Sequence, residues 1–449
     1  MNGHHKVRVR IGAGAGFAGD RIEPAVEVAA HGGIDFLVFE CLAERTIALA
    51  QLEKLSAPQR GFDPKLVQRM EAVLPHCARK HIRIITNSGA ANPRGGARAI
   101  VETARRLGIR KLKVAAVIGD DVLDSVLSNE AQHAARYPEL RAVRDRVISA
   151  NAYVGAAPIV EALDNGADVI ITGRVADPSL FLAPLIHSFR WSAENWELMG
   201  RGILVGHLLE CAGQLTGGYF ADPPRRVVPD LARLGFPIAE VTSEGEATFS
   251  KVAGTGGVLN VATCTEQLLY EVHDPARYVT PDVVADFSAV AFQQLAPDSI
   301  RATGASGSAR PEDLKVTVAY RDGYLGEGQL TYAGSSAPSR AQLALDTVVE
   351  RLKLIGLGAI DLRTEIIGVN SVMKTDLPRG NPCEVRIRVV GRTETRQQAE
   401  AIGDEVEALY TNGPAGGGGA YKAVREVVGV LSMLLPREAV QTSIEYEET

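Results

Sequence analysis

The residues able to do chemistry in the first half of the chain stand just after short β-rich runs. Glu40 ends Asp35-Phe-Leu-Val-Phe-Glu40. One carboxylate at the mouth of a sheet suits a general base if partly buried. Asn87 and the Ser88 and Gly89 amides follow the next run, and Asn92 closes their loop. Such a loop can hold a developing oxyanion, or it can be a set of Asx turns. Thr172-Gly173-Arg174-Val-Ala-Asp177 places a cation and an anion three residues apart. Arg174 can clamp a carboxylate or phosphate with Asp177 orienting it, or the two can form a plain ion pair.

Gly14, Gly16 and Gly19 match GxGxxG, and Glu40 follows Gly19 by 40 − 19 = 21 residues. That is the spacing of a dinucleotide fold whose carboxylate binds ribose. Asp20 with Glu23 reads as a capping box, which sets a carboxylate where a pyrophosphate would lie. The same glycines also read as a strand-to-helix turn with positive φ that cradles a substrate, with Asp20 and Arg21 at the helix start. A nicotinamide-dependent oxidoreductase therefore stays open beside a substrate turn. His207 and Glu210 share a helix face and could join Glu40 at a metal. No third ligand stands at a defined spacing, so a hydrogen-bonded helix surface is expected and no metal site is assigned. Glu44 is expected to start a helix and face water. Gly254-Thr-Gly-Gly257 and Gly413-Pro-Ala-Gly-Gly-Gly-Gly419 are further glycine clusters. Gly416 and Gly417 offer amides to an anion, or a hinge, ahead of a run from Tyr421 to Leu435 read as helical.

Positioning these loops requires alternating strands and helices. The sequence predicts strands at Val7–Ile11, Phe36–Phe39, Ile82–Ile85, Leu112–Val117 and Val169–Ile171. Helices are expected at Arg21–Ala30, Lys65–Lys80, Ala97–Leu107 and Ile159–Asn165, several stopped by glycine. This grammar implies a parallel, Rossmann- or flavodoxin-like α/β sheet over residues 1–222, whose strand-end loops converge. Beyond Pro223 the alternation weakens. Lys315–Tyr320, Glu365–Val369 and Glu384–Val390 read as antiparallel strands, and Ala341–Ile355 and Arg396–Tyr410 as amphipathic helices. An α+β domain over residues 223–449 is expected.

With 449 residues, 46% hydrophobic and 23% charged, the chain can bury large cores. Its net charge of −6 comes without a basic stripe, which argues against nucleic acid. No apolar run reaches membrane-spanning length, and the polar start at Met1–Arg10 does not resemble a signal peptide. Five scattered cysteines read as reduced thiols, so a cytoplasmic setting is expected.

The segments Ile11-Gly-Ala-Gly-Ala-Gly-Phe-Ala-Gly-Asp-Arg21, Asp35–Glu40, Thr86–Pro93, Thr172–Asp177 and Cys264-Thr-Glu-Gln-Leu-Leu-Tyr270 through Pro275 together resemble the acyclic terpene utilisation (AtuA) family. The likeness runs over essentially the whole chain. It implies a place in catabolism of acyclic terpenoids and branched acids, which proceeds through coenzyme A thioesters, so coenzyme A would enter as part of the substrate. It also implies a small ferredoxin-like domain that is missing or supplied by a separate subunit. A homo-oligomer is expected. The first expectation is a hydratase, dehydratase or lyase with Glu40 as base, Asn87 and Ser88–Gly89 as oxyanion donors, and Arg174 and Asp177 binding an acidic group. The alternatives are an NAD(P)-dependent enzyme and a non-enzymatic ligand-binding subunit that needs the small partner.

Overall fold

Continuous apolar runs are what strands buried on both faces require, and in the computed structural model they form the middle of a ten-stranded mixed sheet. Residues 7–128, 136–358, 360–373 and 382–449 are described; the first six residues of the polar lead-in lie outside them. The strands β1 (Arg8–Gly16), β2 (Phe36–Glu40), β3 (Arg83–Thr86), Val169–Thr172 and β4 (Lys113–Ile118) lie side by side in that order, all parallel. Antiparallel strands flank them. Pro237–Thr242, Ala247–Lys251, Ser299–Thr303 and Ala291–Ala296 continue the sheet beyond β1, and Ser443–Glu448 pairs with β4. In a doubly wound dinucleotide fold the first strand lies inside the parallel set; here its outer neighbour is antiparallel.

Helices follow from spacing and punctuation. The helix α3 (Leu66–Lys80) buries Leu66, Met70, Val73, Leu74 and Cys77, one apolar stripe. It stops at His81 in the left-handed conformation. The helix α4 (Pro93–Arg106) starts with Pro93 and is capped by the Asn92 side chain, which accepts from the Gly95 amide. Both pack into the core around Ile84, Ile85, Val169 and Ile171.

Two readings of the sequence are corrected. First, β1 does not stop at Ile11 but runs through Gly16, and Gly12, Gly14, Gly16 and Gly19 all lie outside the positive-φ region. Asp20 and Glu23 do not form a capping box: the helix Glu23–His31 starts at Ile22 with no side-chain cap. Second, Tyr421–Leu435 is not helical but lies in the strand Gly418–Pro436. From Val430 to Leu435 its burial alternates, with Met433 and Leu435 inward and Ser432 and Leu434 outward. Four valines and Gly429 disfavour a helix there.

The chain groups into two compact units: residues 1–142, 148–318 and 430–449, and residues 143–147 and 319–429. In the second, the strands Asp361–Ile367 and Glu384–Thr393 pair antiparallel beside residues 319–333, followed by residues 418–429. The helices Ala337–Leu354 and Arg396–Glu407 cover this sheet through Ala341, Val348, Ile402 and Val406. No helix among the described residues is long and apolar enough to cross a membrane.

Candidate active site

Glu40 is the last residue of β2 and is buried. Its Oε1 accepts from Asn87 Nδ2 at 2.9 Å and from the Leu42 amide at 2.7 Å. Asn87 Oδ1 in turn accepts from the Cys41 amide at 2.7 Å. Asn87 therefore orients Glu40. Burial and the Asp177 charge push the Glu40 carboxyl well above the usual carboxylate range, against the pull of Arg174, Asn87 and Leu42. Two donors on Oε1 leave Oε2 to carry the proton. Its proton is therefore held more tightly than that of an ordinary carboxyl.

Arg174 is fully buried just beyond the strand Val169–Thr172. Its guanidinium donates to the Val175 carbonyl at 2.7 Å and also to the Leu42 carbonyl and the Asp177 carboxylate. It lies 4.5 Å from the centre of the Tyr153 ring, and Lys315 lies 4.6 Å from the same ring. Asp177 has 36% of its side chain exposed. Burial raises its carboxyl despite Arg174. Asp120, at the end of β4, fixes this loop: Oδ2 accepts from the Arg174 amide at 2.8 Å and from Asn151 at 2.9 Å. Burial lifts Asp120 to about 6. A Cβ on Gly173 would stand 2.6 Å from its carboxyl carbon. Glu44 does begin a helix, but it accepts from Lys315 at 3.0 Å and from the Tyr153 hydroxyl. Burial raises Glu44, and those two donors outweigh it, bringing the carboxyl down to about 2.

His207 and Glu210 lie on the helix Trp196–Glu210, whose end packs on β1 at Gly16. Gly16 is the registered partner of Glu40. A Cβ there would lie 2.5 Å from both the Cys211 Cα and the Glu210 carbonyl. Glycine at this position lets the end of the helix Trp196–Glu210 touch β1 beside Glu40. His207 Nδ1 meets Glu210 Oε1 at 2.9 Å, and Nε2 meets the Leu268 carbonyl at 3.1 Å. With both nitrogens engaged, His207 is not disposed as a metal ligand, and no metal-holding group of His, Cys, Asp or Glu occurs among the described residues. Burial raises Glu210 to about 7, against the pull of His207. Burial lowers His207, but Glu210 and the Leu268 carbonyl outweigh it and raise the imidazole. Glu210 Oε2 is buried without a hydrogen-bond partner. The Phe287 ring stacks on the imidazole at 5.6 Å, and the Tyr278 ring lies tilted against it at 5.0 Å. The Cys211 thiol, pushed up by burial, is influenced by both Glu210 and Glu40. The i,i+3 spacing of His207 and Glu210 is the sequence signal that points to this pair.

A pocket of about 610 Å³, a size that suits a small-molecule ligand, opens between Tyr153, Asp177, Tyr278, Arg277, Lys315 and Leu434. Two aromatic rings, two cations and the exposed edge of Asp177 thus border one cavity. Tyr278 links it to His207.

Other expected site residues have structural duties. Gly14 gives room to the Phe39 ring, which a Cβ would approach to 2.7 Å. Gly14 and Gly16 therefore serve close packing. Asp20 accepts from the Gly16 amide at 2.8 Å. Arg21 donates to the Leu231 and Ala232 carbonyls and borders a different pocket with Glu27, Arg233 and Gly254. The Ser88 amide and hydroxyl both engage the Thr86 hydroxyl, at 3.0 and 2.7 Å. Gly89 packs on the Thr172 carbonyl, and the Thr172 hydroxyl donates to the Gly173 carbonyl. Besides capping α4, Asn92 donates to the Pro58 and Arg60 carbonyls. Gly416 and Gly417 belong to the second unit, beside Arg340 and Leu330.

Neither the comparison with curated proteins nor that with solved structures gives a match. Residues 9–446 match the family model described as acyclic terpene utilisation family protein AtuA.

Proposed function

The chain belongs to the acyclic terpene utilisation family, and we propose that it is an acid/base enzyme of that catabolism. Its substrate is an acyl-coenzyme A thioester or a related carboxylate, and its reaction a hydration, dehydration or C–C lyase step. One observation carries the reading: Glu40 and Glu210 flank Gly16, Glu40 as its registered strand partner and Glu210 through its backbone carbonyl, and each carboxyl has one oxygen held by a donor. Reactions beside a thioester carbonyl need a proton removed at one atom and delivered at another. Glu210, poised at about 7, suits the base. Glu40, whose carboxyl burial raises well above the usual range, suits the acid. His207 and Asn87 are positioning residues for the two carboxyls. Arg174 holds the Leu42 and Val175 carbonyls and so shapes the floor. The neighbouring pocket, with Arg277 and Lys315 at its wall, suits an acyl chain carrying an anionic group.

The test is a panel of α,β-unsaturated and 3-hydroxyacyl-coenzyme A thioesters. Glu40→Gln and Glu210→Gln keep side-chain shape and remove the titrating proton. Each is expected to lower kcat by about 10²- to 10⁴-fold with the fold intact by circular dichroism. Wild-type rates in both variants would overturn the assignment.

A further inference from the structure

Two buried acceptor oxygens at the end of the helix Trp196–Glu210 have no donor: Glu210 Oε2 and Gln267 Oε1. Each side chain is anchored by its other polar atom to the same residue. Glu210 Oε1 meets His207 Nδ1 at 2.9 Å, and Gln267 Nε2 donates to the His207 carbonyl at 3.1 Å. That bond fixes the amide, because the flipped form would set two carbonyl oxygens against each other. Both side chains also bear on the Cys211 thiol. A buried acceptor without a donor is destabilising, so native folds supply a partner, commonly water. A water molecule, with two O–H donors, matches two acceptors anchored on one residue.

We propose that Glu210 Oε2 and Gln267 Oε1 hold the water that is added to, or eliminated from, an α,β-unsaturated acyl thioester. This rests on the acid/base reading and narrows it to a hydro-lyase. In the addition direction the water oxygen bonds to the β-carbon while one of its protons passes to the Glu210 carboxylate. The C=C electron pair shifts to the α-carbon and thioester oxygen, and Glu40 delivers its proton to the α-carbon. One water is consumed, Glu210 ends protonated, Glu40 ends ionised, and exchange with solvent resets both. Elimination runs the same steps backwards.

Three measurements on the full chain test this. A crystal structure of the wild type, at a resolution that places waters, should show one within about 3.2 Å of both oxygens. A gap without water there overturns the proposal, whatever the variants do. Gln267→Met keeps the side-chain length and removes both the acceptor and the Nε2 donor to the His207 carbonyl. It should slow hydration of crotonyl-coenzyme A by about tenfold, the scale of one hydrogen bond, with KM little changed. It should leave α-proton exchange of butyryl-coenzyme A in D₂O unchanged, since exchange needs the carboxyls but no attacking water. Wild-type protein that exchanges the α-proton but does not hydrate, or Gln267→Met that hydrates at the wild-type rate, overturns the water site and spares the acid/base reading. Wild-type protein that does neither overturns both.

Discussion

At the scale of single residues, environment decides which carboxyl gives and which takes a proton. Glu210 is raised from 4.5 to about 7 by burial. A carboxyl raised in the folded state stabilises the fold below its unfolded value and loses that contribution as pH climbs through the folded one. His207, also raised, loses its contribution in the same direction. Wild-type protein should therefore lose stability as pH rises from about 5 to about 8. Glu210→Gln should lose less, so its melting temperature relative to wild type should be higher at the upper pH. An equal offset at both values would contradict the buried-pair geometry. The rate should fall below about 7 as Glu210 takes up its proton, and the alkaline limb should report loss of the Glu40 proton. Asn87 lowers Glu40 through its hydrogen bond, so Asn87→Ala should move the alkaline limb to higher pH.

At the scale of elements, the glycine strand is the piece that assembles the site. Gly16→Ala must push the Cys211 backbone, whose Cα a Cβ approaches to 2.5 Å. The expected cost is about 1–3 kcal/mol, read by chemical denaturation, together with a fall in kcat because Glu210 moves with Cys211. An active, fully stable Gly16→Ala would show that the helix end does not need this contact. The same strand explains what the sequence did and did not disclose. Runs such as Phe36–Glu40 and Val169–Thr172 announce buried parallel strands, and Glu40 and Arg174 were legible as the polar residues that end them. A glycine pattern cannot tell a positive φ from room for a neighbour, and here Gly14 and Gly16 provide room. His207 and Glu210 looked like a helix surface because what buries them, Gly16, Gln267 and Tyr278, lies roughly 60 or more residues away in sequence. Asn87, Ser88 and Asn92 looked alike in one loop, and only their partners separate the residue that holds Glu40 from those that hold the loop.

At the scale of the molecule, the last strand closes an edge. Ser443–Glu448 pairs along β4 and carries Glu445, which takes a bidentate bond from Arg94 at 2.7 Å. Both ends of that ion pair are about half exposed, so Glu445→Ala should cost less than about 1 kcal/mol in a thermal melt. Removing residues 443–449 should instead leave β4 as a bare edge and give protein that aggregates at low temperature, seen by light scattering. A soluble truncation with an unchanged melting point would mean the strand pair contributes nothing.

That pairing also sets an order of events during synthesis. β4 spans residues 113–118 and its partner spans residues 443–448, and the entire second unit is translated between them. A ribosome must therefore deliver over three hundred residues while the β4 edge is still open, and the first unit can complete its sheet only after the second has emerged. Contacts so distant in sequence form late, and nascent chains with open strand edges are prone to wrong pairing. The second unit is the better placed of the two to fold as it leaves the ribosome.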